Sequence, residues 1–208
     1  MIDLKQIGAA VEQGDRDATK RLTQQAIDAG HPPQQVLDAM VAAMDVVGRQ
    51  FQQHEIFVPE MLIAARAMKE GLSLLEPLLV KAGYRPIAKA VIGTVEGDLH
   101  DIGKNLVAMM WRSASIEVID LGANVSPQKF VDAAREHQPQ LVGLSALLTT
   151  TMPAMKRTIE AFRAAGLAPQ IIVGGAPVTQ KFADEIGASG YAADAASAVE
   201  VARAMIAG

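Results

Sequence analysis

The sequence contains no cysteine among its 208 residues. Disulfide bonds and metal sites built from thiolates are therefore excluded, and the composition is compatible with a reducing compartment. No stretch of about 20 consecutive apolar residues is present that could cross a bilayer. The first residues, from Met1 to Lys5, also lack the basic start and apolar run of a signal peptide. These absences predict a cytoplasmic protein without a membrane partner.

Blocks of basic residues are absent as well. The 19 lysines and arginines are mixed with 23 aspartates and glutamates, and the formal net charge is -4. A nucleic-acid backbone would therefore meet no continuous positive surface. Half of the residues are apolar, which is enough to bury a core in one medium-sized domain or two small ones. We expect a globular protein that does not bind nucleic acid.

The first part of the chain, residues 1–84, carries apolar residues at helical spacing from Ile2 onward. Three breaks rich in glycine, proline or polar residues interrupt this pattern, near residues 14–15, 30–33 and 53–59. Short connections between helical segments are typical of antiparallel neighbours. The pattern predicts a four-helix bundle.

The second part, residues 88–208, has a different period, and Pro86 lies in the predicted linker between the two parts. Short apolar runs here alternate with amphipathic segments of helical period. Strand and helix alternating in this way predict an α/β domain with a parallel sheet and helices on both faces. The predicted strands are residues 88–95, 116–121, 141–144, 170–173 and 190–192.

The segment 96–103 places three carboxylates and one histidine between two glycines, directly after the first predicted strand. Parallel sheets bind ligands beyond the carboxyl ends of their strands, so this segment lies on the ligand-binding edge. A phosphate-binding loop offers free backbone N–H groups and a lysine, whereas the carboxylates of Glu96, Asp98 and Asp101 would repel an anion. We therefore expect this loop to face an electron-poor group.

Three other predicted strand ends reach the same edge, at residues 145–151, 174–176 and 191–195. The glycines of this edge, in the first loop and after the fourth strand, have no side chains. Together they would leave a slot for a flat or elongated ligand. A single glycine is explained equally well by a tight turn or by close packing, so this expectation rests on their convergence. The glycines concerned are Gly97, Gly103, Gly174 and Gly175.

These segments together resemble a known signature. Asp98-x-His100-x-x-Gly103, followed by Ser145-x-Leu147 and then Gly174-Gly175, is similar to the motif of cobalamin-binding domains that hold the cofactor base-off and histidine-on. Three separated motifs at the family spacing make a chance match improbable. The resemblance implies a flavodoxin-like (Rossmann-type) domain with a five-stranded parallel sheet over residues 88–208.

The helical half resembles the same proteins. Phe51 and the segments 44–48 and 57–61 are similar to the helical cap of methionine synthase and of the corrinoid proteins of methyltransferase systems. In that family the cap shields the reactive face of the cofactor and must move away during transfer. The resemblance therefore implies a cap domain over residues 1–84 and a hinge at residues 84–87.

The resemblance implies that His100 is the axial ligand of cobalt in cobalamin, present as methylcobalamin or another corrinoid. A neutral imidazole suits this metal, because the corrin ring supplies the equatorial nitrogens and one protein donor suffices. Asp98 would accept the other ring N–H of His100 and raise the basicity of the ring. Thr151 stands where methionine synthase has the serine of this axial relay.

The same resemblance assigns the residues that surround the cofactor. In the cap, Phe51, Val58 and Met61 match the residues that shield the methyl face in methionine synthase, and they are assigned to that role. Packing into the helical core is the alternative for these residues. In the α/β half, the loop residues and the glycine-lined slot would hold the corrin and its nucleotide tail. The full set is Gly97, Asp98, Leu99, His100, Asp101, Ile102, Gly103, Ser145, Leu147, Thr149, Gly174, Gly175, Ala195, Phe51, Val58 and Met61.

The function implied is that of a methyl carrier in a one-carbon system of the methylamine, methanol or methoxyaromatic type. A substrate-specific methyltransferase would load the methyl group, and a second methyltransferase would pass it to tetrahydrofolate or coenzyme M. A reductive activator is a further partner of such systems. The chain lacks the cysteines of a thiolate zinc methyltransferase, so we expect a carrier subunit rather than a stand-alone enzyme.

The sequence is also compatible with other functions. A cobalamin-dependent sensor shares the Asp-x-His-x-x-Gly motif, but its cap usually carries a tryptophan, whereas the single tryptophan here is Trp111, after the histidine motif. An isomerase subunit would need a barrel domain from another chain. A flavodoxin or a phosphoreceiver domain is the alternative without cobalamin. The acidic first loop disfavours flavin phosphate, and Ser145 stands where a receiver needs its aspartate.

Overall fold

The structure is a computed structural model that describes residues 3–207. The chain divides into two compact units, with the boundary between Pro86 and Ile87. Met1, Ile2 and Gly208 lie outside the described residues, and so do the expectations that concern them. The roles assigned to the two ranges, a cap and a cofactor domain, stay predictions.

Over residues 3–86, the first unit consists of four helices, as the apolar period predicts. Asp15 begins one of them by accepting the backbone N–H of Ala18 (2.8 Å), and the Glu60 carboxylate accepts the N–H of Phe57 (3.1 Å) at the start of the last. The core of this unit is rich in buried methionines. The helices are α1 (Leu4–Glu12), α2 (Arg16–Asp28), α3 (Pro33–Gln52) and α4 (Val58–Lys81).

The second unit alternates strands and helices throughout, which confirms the predicted α/β class. Observed strand limits differ from the predicted ones by at most one residue. The elements are β1 (Ala88–Thr94), α5 (Ile102–Ser113), β2 (Ile116–Asp120), α6 (Pro127–His137), β3 (Leu141–Ser145), α7 (Met152–Ala164), β4 (Gln170–Gly174), α8 (Gln180–Ile186), β5 (Gly190–Ala192) and α9 (Ala195–Ala207).

The sheet is parallel throughout, with the strand order β2-β1-β3-β4-β5. The chain leaves β1 towards β2 on one side, and it later returns to β3 on the other side. The connections that follow β1 and β3 therefore diverge, and a crevice opens between them at the carboxyl edge. The pairing of Thr94 with Ser145 brings the two strand ends level with each other.

Aromatic side chains lie close against the sheet where its strands carry glycine. A Cβ on Gly93 would lie 2.7 Å from the ring of Phe130, and a Cβ on Gly143 would lie 2.9 Å from the ring of Trp111. The Trp111 indole N–H donates to the carbonyl of Ala198 (2.9 Å), which joins α5 to α9. Within residues 3–207 no helix is both long enough and apolar enough to cross a membrane.

Candidate cofactor site

The candidate site lies at the crevice between the β1–α5 and β3–α7 connections. We call residues 95–101, between β1 and α5, the histidine loop. The β3–α7 connection comprises residues 146–151. The two connections contact each other through backbone and side-chain hydrogen bonds, which begin with the N–H of Val95 donating to the carbonyl of Ser145 (3.0 Å). The predicted loop and the third strand end thus form one surface.

Asp98 is the centre of this surface. Its side chain is fully buried, and one carboxylate oxygen, Oδ1, accepts the backbone N–H of His100 (3.0 Å) and lies 2.8 Å from His100 Nδ1. The other oxygen, Oδ2, accepts the N–H groups of Leu147 (2.8 Å) and Leu148 (3.3 Å) from across the crevice. A buried carboxylate requires such donors. Asp98 therefore joins the two diverging connections.

Thr151 completes the set of donors to Asp98. Its hydroxyl Oγ1 lies 2.7 Å from Asp98 Oδ2 and 2.8 Å from the carbonyl of Leu148. A hydroxyl has one proton, and the charged carboxylate is the stronger of the two acceptors. The structure thus brings together the three side chains that the sequence predicted as a relay: His100, Asp98 and Thr151.

These contacts decide the ionisation of Asp98. Burial alone would raise its pKa, but the Thr151 hydroxyl and the N–H groups of His100 and Leu147 outweigh burial and hold the pKa well below its ordinary value. Asp98 is therefore an anion at neutral pH. Because an anion accepts hydrogen bonds only, the neutral His100 ring carries its proton on Nδ1 and its lone pair on Nε2.

The His100 ring is accessible on the side that does not face Asp98. Half of its side chain is exposed (51%), and among the described residues no hydrogen bond to Nε2 is present. The side chains around it in sequence and across the crevice are apolar yet exposed: Leu99 and Ile102 at 76%, Leu147 at 43% and Leu148 at 42%. Exposed apolar side chains on the two connections that flank His100 fit a flat, largely apolar macrocycle with a metal at its centre.

The side chains that could ligate a metal also favour a metal that arrives with a cofactor. Within residues 3–207 no group of three or more histidine, cysteine, aspartate or glutamate side chains is placed to hold a metal ion. His100 offers a single donor, because Asp98 is already occupied by its hydrogen bonds. A single donor suits a metal whose other ligands arrive with a cofactor.

The four glycines of the predicted slot have different reasons to be glycine. A Cβ on Gly103 would meet no atom within 4 Å, so the space beside this residue is open to a ligand. A Cβ on Gly174 would lie 2.9 Å from the carbonyl of Ala192, and one on Gly175 would overlap the carbonyl of Ala146. Packing among the strand ends therefore accounts for Gly174 and Gly175, and their contact with a ligand stays a prediction.

The other predicted site residues lie in several environments. Gly97 has a positive φ of 85° and is exposed, as are Asp101 and Thr149, whereas Ser145 is half-buried. Ala195 is the buried first residue of α9. In the first unit, Phe51 and Val58 are half-buried, and Met61 is 1% exposed. Met61 is therefore part of the helical core, and its role at the methyl face stays a prediction.

Sequence reasoning missed two residues that hold the loop and a buried lysine in the first turn of α5. The Thr94 hydroxyl donates to the carbonyl of His100 (2.9 Å), and the Asn124 side chain accepts the N–H of Gly97 (2.8 Å). The buried Lys104 ammonium bonds both carboxylate oxygens of Asp120 (2.7 and 2.6 Å). The only sequence signal for Thr94 and Asn124 was their position, at or near predicted strand ends on the ligand-binding edge, whereas Lys104 lies in a predicted helix.

Known proteins match the chain in both units. A family model described as a B12 binding domain matches residues 88–200, and a second model of the same description matches residues 4–76. A flavodoxin or receiver assignment would not account for the second match. The helical and α/β parts of the chain therefore both point to one family.

Relatives cover nearly the full chain. A corrinoid protein of Desulfitobacterium hafniense is 40% identical over 98% of this chain and 97% of its own length. Trimethylamine corrinoid protein 2 of Methanosarcina acetivorans is 40% identical over 95% of this chain and 93% of its own length.

Solved structures agree with these relatives. The fold matches a chain of the methanol:cobalamin methyltransferase complex of Methanosarcina barkeri, with a TM-score of 0.88, 33% identity and coverage of 99% of this chain and 80% of that one. It also matches a cobalamin-binding protein of D. hafniense, with a TM-score of 0.83, 31% identity and 99% coverage of both chains. The chain, with its α/β fold and helical bundle, belongs to the family of B12-binding corrinoid proteins.

Proposed function

We propose that this chain carries a methyl group on the cobalt of a bound corrinoid, between two methyltransferases. The observation that supports this most strongly is His100, whose Nδ1 is bonded by the buried Asp98 while half of its side chain stays exposed, on connections that also carry exposed apolar residues. When bound, the cobalt corrin supplies a nucleophile that accepts and releases methyl groups. The residues of the chain bind, orient and tune it.

The proposed ligation is histidine-on. Asp98 keeps the Nδ1 proton in place and, as an anion, increases the electron density at Nε2, which strengthens this nitrogen as a donor. Thr151 donates to the same carboxylate (2.7 Å) and so shares in setting its charge. We propose that these three residues act as one relay, with His100 as the only protein ligand of the metal.

Base-off binding requires room for the nucleotide tail of the corrinoid. The open space beside Gly103 supports a tail that passes this residue. The exposed Thr149 and the half-buried Ser145 offer hydroxyl groups on the neighbouring strand end. In the first unit, we propose Phe51 and Val58 as the residues that shield the methyl face. Met61, which also packs in the core of that unit, is proposed for the same face.

The methyl donor is proposed from the relatives. Several are corrinoid proteins named for trimethylamine or dimethylamine, and one similar chain belongs to a methanol:cobalamin methyltransferase complex. These names support a substrate-specific methyltransferase as the first partner. An acceptor-side methyltransferase, acting on tetrahydrofolate or coenzyme M, and a reductive activator complete the proposed system.

The ligand assignment is tested by electron paramagnetic resonance of cob(II)alamin bound to protein that carries ¹⁵N-labelled histidine. Ligation by a labelled ring splits the cobalt signal into doublets, whereas the unlabelled base of the cofactor gives triplets. We expect doublets in the wild type and in His137→Ala, a histidine at the end of α6, and their loss in His100→Ala. Doublets that persist in His100→Ala would overturn the assignment.

The carrier role is tested by methyl transfer. Reduced, corrinoid-loaded protein is mixed with methylamines, methanol or methoxyaromatics, with and without candidate methyltransferases, and methylation is followed by absorbance. We expect methylation to depend on one of these enzymes. Light-dependent changes in oligomeric state without methylation by any of them would instead favour the sensor alternative.

A further inference from the structure

A residue outside the motif holds the backbone of the histidine loop. The Asn124 side-chain oxygen accepts the N–H of Gly97 (2.8 Å), and the backbone N–H of Asn124 donates to the carbonyl of Asp98 (2.9 Å). One residue of the β2–α6 connection thus bonds two consecutive residues of the loop. These two residues come just before the His100 segment that carries the exposed imidazole.

The backbone around Asn124 is itself fixed on β1. The N–H of Thr94 donates to the carbonyl of Gly122 (2.9 Å), and the N–H of Val125 donates to the carbonyl of Thr94 (2.9 Å). Val95 and Val125 add a parallel bridge. Asn124 has a φ of 53°, in the left-handed region that asparagine tolerates better than most residues. The side-chain amide is therefore presented from a rigid backbone.

We infer that Asn124 is a positioning residue for His100, an inference that rests on the proposed role of His100 as the cobalt ligand. A shift of the backbone at Gly97 and Asp98 would displace the Asp98 carboxylate, which bonds both the ring and the N–H of His100. The hydrogen bond from Gly97 to Asn124 opposes that shift. Asn124 thereby keeps the imidazole in the orientation in which Nε2 faces outward.

Two substitutions separate the effect of the Asn124 side chain from the effect of its backbone conformation. Asn124→Gly keeps the left-handed conformation without strain and removes the acceptor. Asn124→Asp keeps an acceptor and tolerates the same conformation. Gln138→Gly is the matched control, because Gln138 is another exposed residue with positive φ (49°), at the end of α6 rather than at the ligand-binding edge. Circular dichroism verifies that each variant is folded.

The first readout is amide hydrogen exchange at Gly97 in the cofactor-free protein. The loss of one partly exposed hydrogen bond predicts exchange about two- to fivefold faster in Asn124→Gly, with Asn124→Asp and Gln138→Gly close to the wild type. The second readout is cob(II)inamide, which lacks a base of its own, bound to ¹⁵N-histidine protein. The fraction of cobalt with a protein nitrogen ligand is expected to fall in Asn124→Gly and to be restored in Asn124→Asp.

The outcomes distinguish the inference from the proposed function. Wild-type exchange and ligation in Asn124→Gly would overturn the positioning role, as would equal losses in Asn124→Gly and Asn124→Asp. Doublets absent from wild-type protein with bound cob(II)inamide would instead overturn the ligand role of His100, and the inference would fall with it. Losses confined to Asn124→Gly support the inference.

Discussion

Asp98 is the residue on which the site depends most. It is buried, and folding lowers its pKa. Its carboxylate contacts five donor atoms, which belong to four residues: two atoms of His100 and one each of Leu147, Leu148 and Thr151. We predict that Asp98→Asn lowers the free energy of unfolding of the cofactor-free protein by about 2 kcal/mol, because an amide group must face N–H and O–H donors. Urea unfolding at neutral pH measures this loss, and unchanged stability would contradict it.

The lowered pKa also fixes the pH dependence. Because folding lowers the pKa of Asp98, its contribution to stability is complete above the ordinary aspartate pKa of about 4 and is lost as the pH falls towards the lowered value. The difference in stability between wild type and Asp98→Asn is therefore expected to shrink below about pH 4. Urea unfolding of both proteins across this range tests the sign, and a difference that grows in acid would contradict it.

Substitutions of Thr151 test whether its hydroxyl or its methyl group stabilises the cofactor-free protein. We predict that Thr151→Val destabilises the cofactor-free protein by about 1 kcal/mol, because Asp98 loses a donor, whereas Thr151→Ser changes stability by less than about 0.5 kcal/mol. Thermal unfolding of the two variants gives the comparison. A loss in Thr151→Ser without a loss in Thr151→Val would mean that packing of the methyl group, rather than the hydrogen bond, is responsible.

The resemblance was sufficient to predict the three side chains that meet at Asp98, but not the residues that hold the loop. Asp98, His100 and Thr151 carry recognisable chemistry in recognisable positions. Asn124 and Thr94 act through backbone groups of the histidine loop, and which backbone groups they meet depends on how the β1 and β2 ends align. That alignment follows from the register of the sheet, which the sequence pattern does not specify.

Among the helices and strands, α5 and β2 are joined by an ion pair as well as by a hydrogen bond from Arg112 to the carbonyl of Val118. Lys104, in the first turn of α5, is 2% exposed and bonds Asp120 at the end of β2. We predict that Lys104→Met costs about 3 kcal/mol, because it leaves a partly buried carboxylate without its cation. Lys156→Met, in an exposed pair with Glu160 on α7, is the control and should cost less than about 1 kcal/mol. Similar urea midpoints for the two variants would contradict this prediction.

Gly103 lies near the start of α5 and is expected to separate stability from binding. Since a Cβ there meets no atom within 4 Å, Gly103→Ala should leave the cofactor-free protein as stable as the wild type or more stable, by up to about 1 kcal/mol. The same methyl group would occupy space proposed for the corrinoid, so affinity should fall about tenfold or more. Gly175→Ala, which would overlap Ala146, should instead lose stability. Unchanged affinity for cobalamin in Gly103→Ala would exclude this residue from the slot.

The full chain offers a probe for its two units. Trp111 is its single tryptophan and is fully buried in the second unit, so its fluorescence reports unfolding there, whereas far-ultraviolet circular dichroism reports the helices of both. Because each unit has its own core, we predict that Lys104→Met lowers the fluorescence midpoint in urea and leaves part of the dichroism transition at the wild-type position. Identical shifts of both signals would mean that the units unfold together.

The two-sided bonding of Asp98 has a mechanical consequence. Oδ1 is engaged by His100, and Oδ2 is engaged by the N–H groups of Leu147 and Leu148. A protein that pressed on these exposed leucines would displace the Asp98 carboxylate and, through it, the imidazole. The Asp98 side chain thus connects contact at the surface of the chain directly with the ring that is proposed to hold the metal.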